Sequence, residues 1–77
     1  MEYKYYKVVS QLFFKEAYYY RVFPDNTYDW WDEETESWEG HELGCFFSSL
    51  MRYEDIESIK ETNALTLLVL FGKKIVE

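Results

Sequence analysis

The sequence contains few of the residues that cross-link a chain, bend it sharply or bind metals. Its 77 residues include one Cys, one Pro, one His and three Gly. With a single Cys no internal disulfide can form, which is typical of proteins in a reducing cytoplasm. The most apolar stretch, residues 64–71, is much shorter than the roughly 20 residues that a membrane helix needs. The sequence therefore predicts one small cytoplasmic domain spanning residues 1–77, with no membrane partner.

Positive charge is missing from the middle of the chain. The net charge is −7. Outside residues 25–42 the chain is almost neutral, with seven acids and eight Lys or Arg. Residues 25–42 contain no Lys or Arg, and they hold eight acids: Asp25, Asp29, Asp32, Glu33, Glu34, Glu36, Glu39 and Glu42. Nucleic acids and anionic membranes are bound by basic surfaces. The sequence therefore predicts no direct binding to either, and a partner with a basic surface is the better match for this stretch.

Aromatic residues are abundant, at 22% of the chain with eight Tyr and three Trp. One aromatic side chain can bury about 150–250 Å², so these rings can build a core in a small domain. A domain of this size cannot hide all of them. The acids of residues 25–42 are interleaved with Tyr28, Trp30, Trp31 and Trp38, and Trp and Tyr are enriched at protein interfaces.

The first half of the chain has the pattern of an antiparallel meander. Residues 3–9, 17–23 and 27–32 are aromatic and β-branched, which predicts three strands, with residues 10–16 connecting the first two. Residues 24–26, Pro-Asp-Asn, predict a turn. Strand alternation places Tyr28, Trp30 and Asp32 on one face, with Asp29 and Trp31 on the other. We expect Asp32 to cap an acidic turn at residues 33–37, after which Trp38 returns as a short arm.

The second half predicts helix. Apolar residues at helical spacing predict a helix over residues 42–52 that covers the sheet: Leu43, Phe46, Phe47, Leu50 and Met51. Residues 53–59 fit a short strand or a link, and residues 62–74 fit either a helix or a buried strand. The predicted fold class is therefore α+β, a small antiparallel sheet of three to four strands with one or two helices packed on one face.

No pattern in the sequence predicts catalysis, a cofactor or a metal. His41 and Cys45 are four residues apart and could supply two ligands from one helix face, but a zinc site needs three or four protein ligands. A Cys–His nucleophilic pair lacks an identifiable orienting group. The central acids are expected to be solvated, which disfavours acid–base chemistry. We therefore expect a protein that is not an enzyme, has no catalytic residues and binds neither metal nor cofactor.

A wider pattern links residues 18–22, 28–38 and 53–56. Tyr-Tyr-Tyr-Arg-Val, Tyr-Asp-Trp-Trp-Asp-Glu-Glu-Thr-Glu-Ser-Trp and Tyr-Glu-Asp-Ile resemble segments of short uncharacterised proteins of Gram-positive bacteria and their phages. In character the chain is also similar to small acidic anti-defence inhibitors of phages, including anti-CRISPR proteins. Many of these occupy the nucleic-acid groove of a nuclease or effector complex. The resemblance implies the same mode of action here, in the host cytoplasm if the chain is phage-encoded.

The leading prediction is thus a non-enzymatic inhibitor that docks on the basic groove of a nuclease or ribonucleoprotein effector. Its predicted contact residues are Asp25, Asp29, Trp30, Trp31, Asp32, Glu33, Glu34, Glu36, Trp38 and Glu39. The simplest alternative for the acids is a solvated face that only keeps the chain soluble. A different class of function is also compatible, namely a structural or assembly protein that forms a homodimer through exposed aromatic residues.

Overall fold

A computed structural model describes residues 3–11 and 17–76 of the chain. Within this part five strands form one antiparallel sheet: β1 (Lys4–Ser10), β2 (Tyr18–Phe23), β3 (Thr27–Asp32), β4 (Ser37–Leu43) and β5 (Ile56–Thr62). The strand order across the sheet is β4-β3-β2-β1-β5. Two α-helices and a short 3-10 helix complete the described chain: α1 (Phe46–Leu50), α2 (Ala64–Phe71) and the 3-10 turn Lys73–Val76. Most of the predicted connection 10–16 lies outside the described residues.

The three predicted N-terminal strands are confirmed, as are the turn at residues 24–26 and the turn after Asp32. Asn26, in the turn between β2 and β3, has a φ of 63°, a left-handed conformation that Asn tolerates better than most residues. In the turn between β3 and β4, Oδ1 of Asp32 accepts hydrogen bonds from the backbone N–H groups of Glu34 (2.9 Å) and Thr35 (3.4 Å). The local turn chemistry that the sequence predicted therefore operates in the fold.

The predicted helix over residues 42–52 is wrong in its first part. In place of the short arm predicted at Trp38, residues Ser37–Leu43 form the full strand β4 at one edge of the sheet. β4 pairs with β3 from Asp32↔Ser37 to Thr27↔Leu43. These ladder bonds satisfy the backbone polar groups of the segment better than a helical turn containing Gly44 would. Leu43 is consequently 81% exposed and takes no part in a helical stripe.

Helices cover both faces of the sheet, so the predicted arrangement with helices on one face is wrong, and the five strands exceed the three to four expected. On one face, here called the α1 face, Phe46 and Leu50 pack with Val8 of β1. On the opposite face, the α2 face, Leu67 and Ile75 pack with Tyr5 and Trp31. The architecture remains a small antiparallel sheet with helices, in agreement with the predicted α+β class.

Residues 62–74, which the sequence left undecided, form a helix and a following turn. Asn63 caps α2, because its side-chain Oδ1 accepts a hydrogen bond from the backbone N–H of Thr66 at 2.8 Å. Gly72 ends α2 with a φ of 87°, which favours glycine. For residues 53–59, where the sequence fits a short strand or a link, a strand is present, and it runs from Ile56 to Thr62. No helix in the described part of the chain is long and apolar enough to cross a membrane.

Candidate functional site

A β-bulge in β4 determines where its acidic side chains point. Trp30 of β3 pairs with Glu39, and Tyr28 pairs with Glu42. Between these pairs β3 contributes one residue, whereas β4 contributes two, Gly40 and His41. Both of these have positive φ values, 91° and 44°. The extra residue reverses the strand alternation, so Glu39 and Glu42 lie on the same face although they are three residues apart.

The bulge creates a mixed surface that we call the acidic–aromatic strip. It consists of residues from the two strands that share the α1 face: Tyr28, Trp30 and Asp32 of β3, and Glu39 and Glu42 of β4. Trp30 is half-buried and packs over Gly40, where a methyl group would overlap the six-membered ring of the indole. The bulge glycine therefore leaves room for the Trp30 indole, while the carboxylates of Glu39 and Glu42 remain exposed.

An open groove of about 450 Å³ lies beside the acidic–aromatic strip. Four aromatic side chains line it, contributed by β2, β3 and the segment before β5: Tyr20, Tyr28, Trp30 and Tyr53. Glu42 and Asp55 add carboxylates, and Arg52 adds one guanidinium. Its volume falls in the range of about 300–1,000 Å³ that is typical of ligand pockets, so it can accept a large side chain or a small molecule.

The phenol of Tyr20 is neutral over the physiological pH range. Burial raises the pKa of Tyr20 to about 12, and the nearby phenols of Tyr28, Tyr18 and Tyr53 also raise it. At neutral pH this residue therefore offers an uncharged ring and a hydroxyl group. The formal charges in the groove come from two carboxylates and one guanidinium.

Seven of the eight central acids belong to the β3–β4 hairpin, and six of these lie at its turn or along β4: Asp32, Glu33, Glu34, Glu36, Glu39 and Glu42. Glu36 lies 3.6 Å from Nζ of Lys74 in an exposed ion pair, and Glu39 accepts a hydrogen bond from the Ser37 hydroxyl at 2.6 Å. Asp25 lies at the other end of β3, roughly 20 Å from the turn along a six-residue strand and near the end of β4 that carries Glu42. The predicted acidic surface is therefore divided, and Asp25 is not part of the hairpin turn.

Two predicted contact residues, Asp29 and Trp31, are buried, with 4% and 3% exposure. Strand alternation places both on the α2 face, where they belong to the interior and cannot touch a docked partner. Nε of Arg21 donates a hydrogen bond to Oδ2 of Asp29 at 2.7 Å, and Nδ1 of His41 lies 3.0 Å from Oδ1 of Asp29. The prediction of Asp29 and Trp31 as surface contacts is corrected accordingly.

Trp38 is also engaged with the core of the α2 face. Its indole Nε1 donates a hydrogen bond to the backbone carbonyl oxygen of Ile75 at 2.8 Å. The Arg21 guanidinium lies 4.9 Å from the centre of the Trp38 ring and 5.3 Å from that of Phe23. Trp38 therefore anchors the C-terminal turn and the Arg21 side chain, and of the three tryptophans Trp30 belongs to the strip.

His41 and Cys45 lie on different elements and not on one helix face. His41 is in β4 against Asp29, whereas Cys45 precedes α1 and is exposed. Hydrogen bonds from the backbone and side chain of Ser48 lower the pKa of the Cys45 thiol. Among residues 3–11 and 17–76, no group of three or more His, Cys, Asp or Glu side chains is placed to hold a metal ion.

Sequence reasoning missed the groove residues Tyr20, Glu42, Arg52 and Tyr53. The tyrosines of residues 18–20 belong to a predicted strand, and nothing local in the sequence relates them to residues 52–56. One signal was available: Glu42 lies three residues after Glu39 with a glycine between them, a spacing that fits a bulged strand. Comparison with known proteins provides no relative for this chain, because no family model, no curated protein and no solved structure matches it.

Proposed function

We propose that this chain is a non-enzymatic inhibitor that binds a protein with a basic surface and competes there with nucleic acid. One observation carries the proposal: the bulge at Gly40 and His41 brings the carboxylates of Glu39 and Glu42 beside Tyr28 and Trp30 on one face. The turn acids Glu33, Glu34 and Glu36 extend this charge at the exposed end of the hairpin. Relative to the sequence prediction, the proposed surface omits Asp25, Asp29, Trp31 and Trp38.

The combination suits a target that normally holds phosphates. Exposed carboxylates attract Lys and Arg side chains, steer association and fix orientation. A half-buried tryptophan supplies an anchor that loses little conformational freedom on binding, and Trp, Tyr and Arg dominate the energetics of interfaces. A face that served only to keep the chain soluble would not need an indole packed over a bulge glycine between its acids. Occupation of a basic groove by this surface would exclude nucleic acid from it.

The experiment is a pull-down from nuclease-treated bacterial lysate, followed by competition against nucleic acid with the captured protein. We expect a basic nuclease or a ribonucleoprotein subunit that is retained at low salt and lost at high salt. The salt effect follows because the Debye length falls from about 10 Å at 0.1 M to about 3 Å at 1 M. The captured protein should lose its nucleic-acid binding as this chain is added.

Two triple variants with the same change in charge separate position from net charge. The first, Glu33→Gln with Glu34→Gln and Glu36→Gln, neutralises the hairpin turn. The second, Glu54→Gln with Glu57→Gln and Glu61→Gln, neutralises exposed acids in and before β5, at the other edge of the sheet. Only the first variant should lose the partner. Equal weakening by both variants, or a partner that stays bound at high salt, contradicts the proposal.

A second function, self-association, is favoured by a different observation. α2 is apolar on all sides, and Leu65 and Val69 are 70% and 80% exposed. Helices of this composition are normally buried, and exposed apolar patches mark interfaces. Residues 63–72 carry no charge, so two acidic copies can meet there through a two-fold interface. The sequence predicted such contacts through aromatic residues, whereas the apolar surface of α2 is aliphatic.

The mass of the protein in solution tests self-association. If α2 forms a homodimer, the mass from light scattering doubles at high concentration, changes little with salt, and returns to that of a monomer in Val69→Lys. Val69 is exposed, so the substitution does not disturb the core. A monomer at every concentration eliminates this second function and leaves the inhibitor proposal as it stands.

A further inference from the structure

We propose that the groove beside the acidic–aromatic strip receives an arginine side chain of the partner protein. The inference rests on the proposed function, because it specifies which chemistry of the basic partner this face recognises. The groove combines the rings of Tyr20, Tyr28, Trp30 and Tyr53 with the carboxylate of Glu42. Planar guanidinium groups stack on aromatic rings and bind carboxylates through several parallel donors.

The protein already contains one site of this chemistry on its opposite face. There the guanidinium of Arg21 lies 4.9 Å from the centre of the Trp38 ring and 5.3 Å from that of Phe23. Nε of the same residue donates to the carboxylate of Asp29 at 2.7 Å. The groove on the α1 face offers the same partners, aromatic rings beside a carboxylate, at the surface and open to an incoming side chain.

The charges of the groove favour a cation from outside. Glu42 is exposed and has no ion-pair partner among the described residues. Asp55 is different, because its Oδ2 accepts a hydrogen bond from the Ser10 hydroxyl. Glu42 is therefore the carboxylate that is available to an incoming guanidinium, and it lies directly across from Tyr28 in the sheet.

Substitution of Arg52 distinguishes a positively charged bound group from a negatively charged one. Arg52 lines the same groove, so its positive charge disfavours an incoming arginine and would favour an anion such as phosphate. Arg52→Gln should therefore strengthen the binding of a cation, and it should weaken the binding of an anion. Glu42→Gln should have the opposite effects. Both side chains are exposed, so neither substitution is expected to disturb the fold.

The experiment titrates a peptide of four glycines with one central arginine, capped at both ends, into isotope-labelled protein. Its counterpart carries citrulline, which keeps the shape of arginine but lacks the charge. The indole N–H resonance of Trp30, identified from the Trp30→Phe spectrum, reports occupation of the groove. We expect a saturable shift with the arginine peptide. The citrulline peptide should bind about twofold to fivefold more weakly, as the loss of one exposed cation–π contact implies.

Glu42→Gln should weaken the binding of the arginine peptide, and Arg52→Gln should strengthen it, each by about twofold to fivefold. Equal binding of the arginine and citrulline peptides overturns the inference, as does the lack of a saturable shift. Weaker binding of the arginine peptide to Arg52→Gln also overturns it and indicates an anion site.

Failure of the groove and failure of the proposed function give different results. If the captured partner binds Glu42→Gln and wild type equally but loses the triple variant of the hairpin turn, the groove inference is wrong and the inhibitor proposal stands. If the arginine peptide binds as expected but the captured partner does not release nucleic acid, the inhibitor proposal is wrong and the groove inference stands.

Discussion

Replacing Gly40 by Ala is expected to destabilise the protein by about 2–4 kcal/mol. Gly40 has a φ of 91°, and holding a residue with a Cβ in such a conformation costs about 1–3 kcal/mol. The new methyl group would also overlap the six-membered ring of Trp30, so the indole has to leave its place over β4. Burial of a whole large apolar side chain contributes about 1.5–3 kcal/mol, and Trp30 is only half-buried. Its displacement therefore adds about half of that amount.

The loss is large compared with the total stability, which is about 4–12 kcal/mol for a domain of this length. Urea unfolding followed by circular dichroism measures it, in wild type and in a Trp30→Ala background. In that background Gly40→Ala should cost only the backbone contribution. Gly72→Ala provides a comparison, because Gly72 has a φ of 87° and no atom lies within 4 Å of the place that the new methyl group would take. If Gly40→Ala costs the same with and without the Trp30 indole, the packing of Trp30 on Gly40 is refuted.

Three further predictions concern the core, the groove and α2. Asp29→Ala removes the carboxylate from Arg21, whose side chain is 22% exposed, and should cost about 3 kcal/mol in urea unfolding, the lower end for broken buried pairs. Burial raises the pKa of Tyr20 from 10.0 to about 12, so its contribution to stability is present below pH 10 and is lost as the pH rises through about 12. Tyr20→Phe should therefore raise the midpoint of alkaline unfolding, measured by circular dichroism. Asn63→Ala removes the cap of α2 and should cost about 1 kcal/mol in urea unfolding.

Each of these predictions has a control and a result that contradicts it. The control is Glu57→Ala, which removes an exposed acid of β5. If Asp29→Ala loses no more stability than this control, the pair of Asp29 with Arg21 is unimportant for stability. An unchanged alkaline midpoint in Tyr20→Phe would mean that this phenol does not limit stability at high pH. Asn63→Asp keeps a side-chain acceptor for the N–H of Thr66, so its stability should stay close to that of wild type.

The N-terminal half of the fold is predictable because its signals are local. β1, β2 and β3 consist of aromatic and β-branched residues, and the turns between β2 and β3 and after β3 use Asn26 and Asp32 in the manner that these side chains favour. α2 is less predictable. Its apolar run fits a helix or a buried strand equally well, and the choice is associated with a side-chain cap at Asn63 and a glycine at Gly72.

β4 was misjudged because a bulge removes the alternation by which strands are recognised. Glu39 and Glu42 are three residues apart and share a face. This spacing is typical of a helix, although here the two residues belong to a bulged strand. Leu43 and Phe46 continue this apparent period, although they belong to different elements. Of the three acids in the strip, Asp32 and Glu39 were predicted as contact residues and Glu42 was not. The groove was not predicted, because Tyr20 and Tyr53 meet only after the sheet and α1 have packed together.

The bulge at Gly40 and His41 also affects which contacts the sheet can make with other chains. β4 is an edge strand, and edge strands present unpaired backbone N–H and C=O groups that invite another strand to join. Left-handed backbone at two successive residues bends this edge, and Glu39 and Glu42 place like charges opposite any second copy that approaches it. Both features disfavour the addition of another strand at this edge. A partner is therefore expected to contact this edge through the side chains of β4 and not by adding a strand to it. The edge can stay open to solvent without a helix or loop over it.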